Sequence, residues 1–156
     1  MNELLVYLNS IYPLSQSAIN FLSENLKEIE VPKKKFILKH GQVCQNIYFV
    51  EKGLLRCFYD KNEKEVSSWF MKEFDLIFSV ESFLNQTPSY ENIQALEDSV
   101  LHYITYFELQ YLYHHCLEFN FIGRVITEAY YKLSEQRLRS LRLQNAKEKY
   151  KFMMTN

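Results

Sequence analysis

A chain of 156 residues is long enough for one domain with a full core plus an appendage, since a domain of this size buries about 70% of the surface of its unfolded chain. Apolar residues make up 47% of the chain and aromatics 16%, without a low-complexity run, which excludes a disordered polymer. The formal net charge of −1 is unevenly spread: residues 124–156 carry eight Lys or Arg against three Glu, a surplus of five, so the remainder carries −6 and an acidic body precedes a basic tail.

The first element is signalled by Leu14-Ser15-Gln16-Ser17, a serine cap followed by Ile19, Leu22 and Leu26 at helical spacing. A helix over 15–26 is predicted, with another turn or two within residues 1–9. Pro32 and the run Lys33-Lys34-Lys35 close this region and lead into Phe36-Ile37-Leu38. The lysines read as a solvated strand edge that discourages edge pairing, in preference to a phosphate-binding patch.

Next, Ile47-Tyr48-Phe49-Val50 sits between two of the three glycines, Gly41 and Gly53. An aromatic and β-branched run bounded by glycines marks a strand. Leu54 to Tyr59 resumes at once, which predicts a hairpin turning near Gly53. Val66 to Phe70 follows the polar tetrad Asp60-Lys61-Asn62-Glu63, so residues 46–70 are expected to form a three-stranded antiparallel meander. Leu76-Ile77-Phe78, one helical turn over Glu81–Leu84, and strands over Tyr90–Leu96 and Val100–Thr105 continue the roll, with Asp98-Ser99 as turn chemistry.

From Tyr106 the period becomes helical. A helix over Phe107–His114 is followed by a second that begins near Leu117, and the 33 residues after Gly123 contain neither Gly nor Pro, enough for about 50 Å of helix. Phe119, Ile122, Ile126, Ala129 and Leu133 recur at spacings of three and four, with Leu138 and Leu141 beyond. Ile122, Ile126, Ala129 and Leu133 form the expected dimer face, with Ala129 and Ser140 small enough for close helix approach. The first two turns of that face are expected to pack on the roll.

Lys39-His40-Gly41-Gln42, Ile47 through Arg56, and Ile93-Gln94-Ala95-Leu96-Glu97-Asp98-Ser99, in this order and spacing, resemble the sensory domain of the Crp/Fnr family of bacterial transcription regulators. The resemblance covers the chain from about residue 15 onward. It implies an α+β fold: an antiparallel β-roll of the cyclic nucleotide-binding-like kind (a double-stranded β-helix or jelly roll), short N-terminal helices and a long C-terminal dimerisation helix. Residues 1–116 would form the roll domain and 117–156 the helix.

The family's roll holds a cyclic nucleotide through a cassette in which Gly-Glu opens a helical turn and an arginine with a small hydroxyl residue enters the next strand. The arginine neutralises the cyclic phosphate and the glutamate holds the ribose. Laid on that pattern from Ala95, Phe78-Ser79 stands at the Gly-Glu position and Ser89-Tyr90 at the arginine pair. A slip of two positions brings in Glu81, but no slip supplies the cation, because residues 73–123 contain no Lys or Arg and eight acids: Glu73, Asp75, Glu81, Glu91, Glu97, Asp98, Glu108 and Glu118. Cyclic AMP binding is therefore not expected.

The expected ligand region is Phe78, Ser79, Glu81, Ser82, Phe83, Ser89, Tyr90 and Asn92, with Arg124 as the cation placed to reach back. With Thr87, its hydroxyls and amide suit a neutral or weakly polar small molecule, unless Phe83 and Tyr90 plug the cavity.

Other chemistries find little support. His114-His115-Cys116 resembles a metal cluster, yet adjacent helical residues point about 100° apart and a solvated helix end is the better reading. No metal and no cofactor is expected. Cys44, Cys57 and Cys116 cannot supply the four thiolates of an iron–sulfur cluster, and nothing singles out haem ligands. A cupin's His-x-His pair, a Gly-rich phosphate loop, a Gly-x-Ser-x-Gly elbow and a His-Glu-x-x-His helix are all absent, so an enzyme is not expected. Three cysteines without CxxC spacing, no secretory signal and no apolar run near the ~20 residues that span a bilayer predict a reduced, cytoplasmic protein away from membranes.

Family members read DNA through a C-terminal helix-turn-helix, which has no room after Lys149-Tyr150-Lys151 in this chain. Two readings follow: the sensory and dimerisation part of a Crp/Fnr-like regulator, or a stand-alone β-roll module that binds a neutral small molecule or a protein. In the first, ligand occupancy would alter the angle between paired long helices. The basic residues Arg137, Arg139, Arg142, Lys147, Lys149 and Lys151 are more simply a solvated helix face than a DNA contact.

Overall fold

The computed structural model describes residues 2–155, without side chains at 143–146, 148, 149 and 151–155. Two short helices, α1 (Glu3–Ile11) and α2 (Gln16–Asn25), lead into the strands. Asn2 caps α1 by accepting from the Leu4 N–H, and Ser15 caps α2 by accepting from the Ala18 N–H.

The strands are β1 (Lys27–Val31), β2 (Phe36–Leu38), β3 (Asn46–Lys52), β4 (Leu55–Lys61), β5 (Lys64–Met71), β6 (Leu76–Ile77), β7 (Asn92–Ala95) and β8 (Ser99–Thr105). A short helix, α3 (Val80–Asn85), lies between β6 and β7, and α4 (Tyr106–His115) and α5 (Glu118–Thr155) follow β8. Two four-stranded antiparallel sheets result, ordered β1-β8-β3-β6 and β2-β7-β4-β5.

The sheets close on one core. Val31, Tyr48, Val50, Ile77 and Leu101 from the first meet Leu38, Leu55, Cys57, Met71, Ile93 and Ala95 from the second, with Phe83 of α3 among them. Alternation along β3 and β8 sends Phe49 and His102 to the opposite face, where Phe49 stacks on Tyr7 of α1 at 6.1 Å.

The expected β3–β4 hairpin is corrected. β3 pairs with β6 and β8, whereas β4 pairs with β5 and β7, so the chain passes between sheets at Gly53 instead of turning within one. Gly53 has φ +118°, and a Cβ there would lie 2.8 Å from Ser99 Cα. The local hairpin is β4–β5. Its two-residue turn, Asn62-Glu63, has φ of 52° and 64°, the left-handed pair whose twist suits adjacent strands.

The chain divides into two units, residues 1–118 and 119–156. In the second, Ile122 is buried at 1% exposure, Ile126 is half-buried and Ala129 exposed, and the stripe continues through exposed Leu133, Leu138 and Leu141. Arg137, Arg139, Arg142 and Lys147 are exposed; the side chains of Lys149 and Lys151 lie outside the described residues.

Candidate ligand site

The segment joining β2 to β3 and the segment leading into β7 are stitched together by backbone pairing. The Gly41 N–H donates to the Ser89 carbonyl at 2.7 Å, the Ser89 N–H to the Gln42 carbonyl at 2.8 Å, and Val43 bridges Pro88. Asn92 locks the same corner, its Oδ1 accepting from the His40 N–H at 2.9 Å. Ser82 accepts from the Cys44 N–H and donates to the Thr87 carbonyl. Asn92 and Ser82 are thus spent on holding loops.

Ser79 and Ser89, the two positions laid on the cassette pattern, do come together. Both are buried, their hydroxyls are 3.1 Å apart, and Ser79 precedes the first turn of α3. The group that joins them is Glu91, two residues after Ser89. Its Oε1 accepts from the Ser79 hydroxyl at 3.0 Å, and its Oε2 accepts from the Cys57 thiol at 2.6 Å and the Ser68 hydroxyl at 3.3 Å. Ser89 completes the knot by accepting from the Glu91 N–H and donating to the Glu91 carbonyl, each at 3.0 Å. Among the described residues, no Lys or Arg hydrogen-bonds to this carboxylate. The Cys57 thiol is pushed up strongly, first by burial and then by Glu91.

The other expected site residues separate. Phe83 is core, packed edge-on to Tyr106, and Phe78 is half-buried against it. Tyr90 is no plug: it is exposed and its ring lies 6.0 Å from that of Tyr59. Glu81 is exposed as well. Arg124 belongs to the second unit, where it lies over the Phe121 ring and 4.0 Å from Glu128.

A cleft of about 350 Å³ opens beside this corner, lined by Ile37, Leu38, Gln42, Val43, Cys44, Gln45, Asn46 and Tyr48. Its polar groups are amides, a thiol and a phenol, none of them cationic. Asn46 donates to the Tyr48 hydroxyl at 3.1 Å, and burial pushes both the Cys44 thiol and the Tyr48 phenol up. Glu91, Cys57 and this cleft were missed from sequence. Glu91 counted there only as one of many acids, though its spacing of two from Ser89 is the signal that places it.

Residues 28–115 match the family model described as the cyclic nucleotide-binding domain. The fold is similar to that of the catabolite activator protein of Thermus thermophilus, with TM-score 0.68 and 18% identity over 86% of this chain and 62% of that one. It is also similar to the sensor domain of the transcriptional regulator DNR from Pseudomonas aeruginosa, with TM-score 0.66 and 13% identity over 85% of this chain and 86% of that one. A third likeness is to the regulatory subunit of a cAMP-independent protein kinase A from Trypanosoma brucei, with TM-score 0.65 and 15% identity over 87% of this chain and 49% of that one. The chain therefore spans about 62% of the length of the activator protein it resembles. A search of the curated proteins returned no match to the sequence. With more than half of its residues inside the family model, and with a two-sheet antiparallel roll like that of the similar structures, the chain belongs to the cyclic nucleotide-binding domain family.

Proposed function

We propose that this chain is the sensory and dimerisation part of a Crp/Fnr-like transcription regulator whose cassette does not take cyclic AMP. The observation that carries the reading is the Glu91 carboxylate, which already holds the Ser79 hydroxyl where the family's cassette meets its ligand. A cyclic phosphate entering there would face a like charge with no arginine to offset it. At about 4 Å and an effective dielectric of about 20, two unit charges repel by about 4 kcal/mol, more than the roughly 1.5–3 kcal/mol of a charge-assisted hydrogen bond to a serine. A similar fold occurs in the regulatory subunit of a protein kinase A described as cAMP-independent.

The ligand class that suits what remains is a neutral small molecule in the amide-lined cleft between β2 and β3. The exposed stripe of Leu133, Leu138 and Leu141 on α5 supports pairing with a second copy, and DNA would be read by a helix-turn-helix outside this chain. The role is regulatory and non-catalytic. Cys44, Cys57 and Cys116 are all free thiols, in keeping with a reducing cytoplasm, and no described helix is long and apolar enough to cross a membrane.

Thermal unfolding with cyclic AMP, cyclic GMP and a panel of neutral metabolites tests this reading. A ligand at 100 times its dissociation constant stabilises by about 2.7 kcal/mol. Stabilisation by a neutral compound alone supports it; stabilisation by either nucleotide refutes it.

A further inference from the structure

On the face of the first sheet that points away from the core, three adjacent strands bring together donors that are far apart in sequence. In the register, Glu28 of β1 lies directly opposite His102 of β8, and Phe49 of β3 lies opposite His102 on its other side. Glu51, two residues past Phe49, therefore reaches the same spot diagonally. One oxygen of Glu28, one of Glu51 and a ring nitrogen of His102 all lie within 4.8 Å of one another. His102 Nε2 hydrogen-bonds Glu51 and is 3.7 Å from Glu28 Oε2.

Among the described residues, no ion pair joins this cluster to a Lys or Arg. His102 is nearly buried, while both carboxylates reach solvent. His102 Nε2 can engage one carboxylate by a single hydrogen bond, and the other carboxylate is left facing the first. A dication would satisfy all three groups together.

We propose that Glu28, Glu51 and His102 form a divalent metal site matched to Zn2+. One imidazole and two carboxylates are a borderline nitrogen–oxygen donor set, and of the common first-row ions zinc needs no particular geometry from it. Bonds of about 2.0–2.2 Å in a tetrahedron place donors about 3.3 Å apart, which small rotations of the two solvent-facing glutamates reach. The fourth position falls to water.

The other ring nitrogen, Nδ1, lies 3.4 Å from Asn2 Nδ2, while Asn2 Oδ1 accepts the Leu4 N–H at the start of α1. With zinc on Nε2 the ring proton is on Nδ1, which calls for the Asn2 oxygen to turn toward it. Metal loading thus pins the edge strand β1 to β8 and β3 and reaches the cap of α1. The ion's place in the sheet makes it a clip on the roll, separate from the cleft and from Glu91.

The test is calorimetric titration of the metal-free chain with ZnCl2, repeated with Glu28→Gln, Glu51→Gln and His102→Gln, plus a Co2+ absorption spectrum. One zinc per chain is expected, weakened at least about tenfold in each variant. A His114→Ala/His115→Ala chain should bind as the parent does. The cobalt spectrum should lack a thiolate charge-transfer band. Glu28 is exposed, so its variant reports even if His102→Gln fails to fold. No stoichiometric binding, binding unchanged in Glu28→Gln and Glu51→Gln, or a thiolate band would each overturn the assignment.

Discussion

The Ser79 hydroxyl donates to Glu91 Oε1 at 3.0 Å, so the buried serine that precedes α3 is held by a carboxylate of the chain itself. The same carboxylate also receives the Cys57 thiol, and the two contacts tie β4, α3 and the approach to β7 into one polar knot inside an apolar roll. Burial and then the neighbouring negative charge keep that thiol protonated far above its usual range.

Replacing Glu91 with Gln removes the charge and lowers the Cys57 pKa, although burial still holds it above that of a free thiol. The thiolate fraction at a given pH therefore rises. Native-state alkylation of Cys57 should be severalfold faster in Glu91→Gln than in the parent; an unchanged rate would show that the carboxylate does not govern the thiol.

Gly53 and Gly41 should respond differently to alanine. At Gly53 the φ of +118° and the approach to Ser99 both penalise a Cβ, whereas Gly41, at φ +88°, meets nothing within 4 Å. Gly53→Ala should cost about 2 kcal/mol or more and Gly41→Ala about 1 kcal/mol, measured by urea unfolding. Equal losses would mean that the crossing between sheets at Gly53 is not the tight point.

Glu108 closes a capping box on α4: its side chain accepts from the Thr105 N–H, the Thr105 hydroxyl accepts from the Glu108 N–H, and Lys27 pairs with it at 2.8 Å. Burial pushes the Glu108 carboxyl up, but the Lys27 ammonium and the Thr105 hydrogen bonds outweigh it and hold it below the usual range. Its contribution is thus complete above the unfolded carboxyl range and is lost as pH falls through the lowered folded value. Glu108→Gln keeps a side chain able to close the box but loses the charge that pairs with Lys27, and should cost about 0.5–1 kcal/mol at neutral pH and progressively less in acid, read from chemical unfolding at several pH values.

Leu133 and Leu138 are exposed on α5, so charging them should leave the fold intact. If α5 pairs with a second copy, Leu133→Asp/Leu138→Asp halves the solution mass measured by light scattering. An unchanged mass would remove the dimer from the account.

Much of the fold was legible because its signals are local. Ser15 marked the start of α2, the apolar run Ile47–Val50 marked β3, the change of period at Tyr106 marked α4, and the absence of Gly and Pro after Gly123 marked α5. The hairpin at Gly53 misled because a strand–glycine–strand pattern is the same whether the chain turns back or passes to the other sheet. What distinguishes them is the pairing of β3 with β8, some fifty residues away, which has no local trace. The site divides in the same way. Counting back from Ala95 located Ser79 and Ser89, but Glu91 looked like any other acid until β4 placed Cys57 and Ser68 against it. Glu28, Glu51 and His102 are neighbours only through strand register.

The most direct test of the central claim is a calorimetric titration of cyclic AMP into the parent chain and into Glu91→Gln. No heat of binding to the parent is the predicted result, with at most weak binding to the variant, since the arginine is missing from both. Micromolar affinity in the parent would contradict the account, because it would show that the phosphate displaces or bypasses the Glu91 carboxylate.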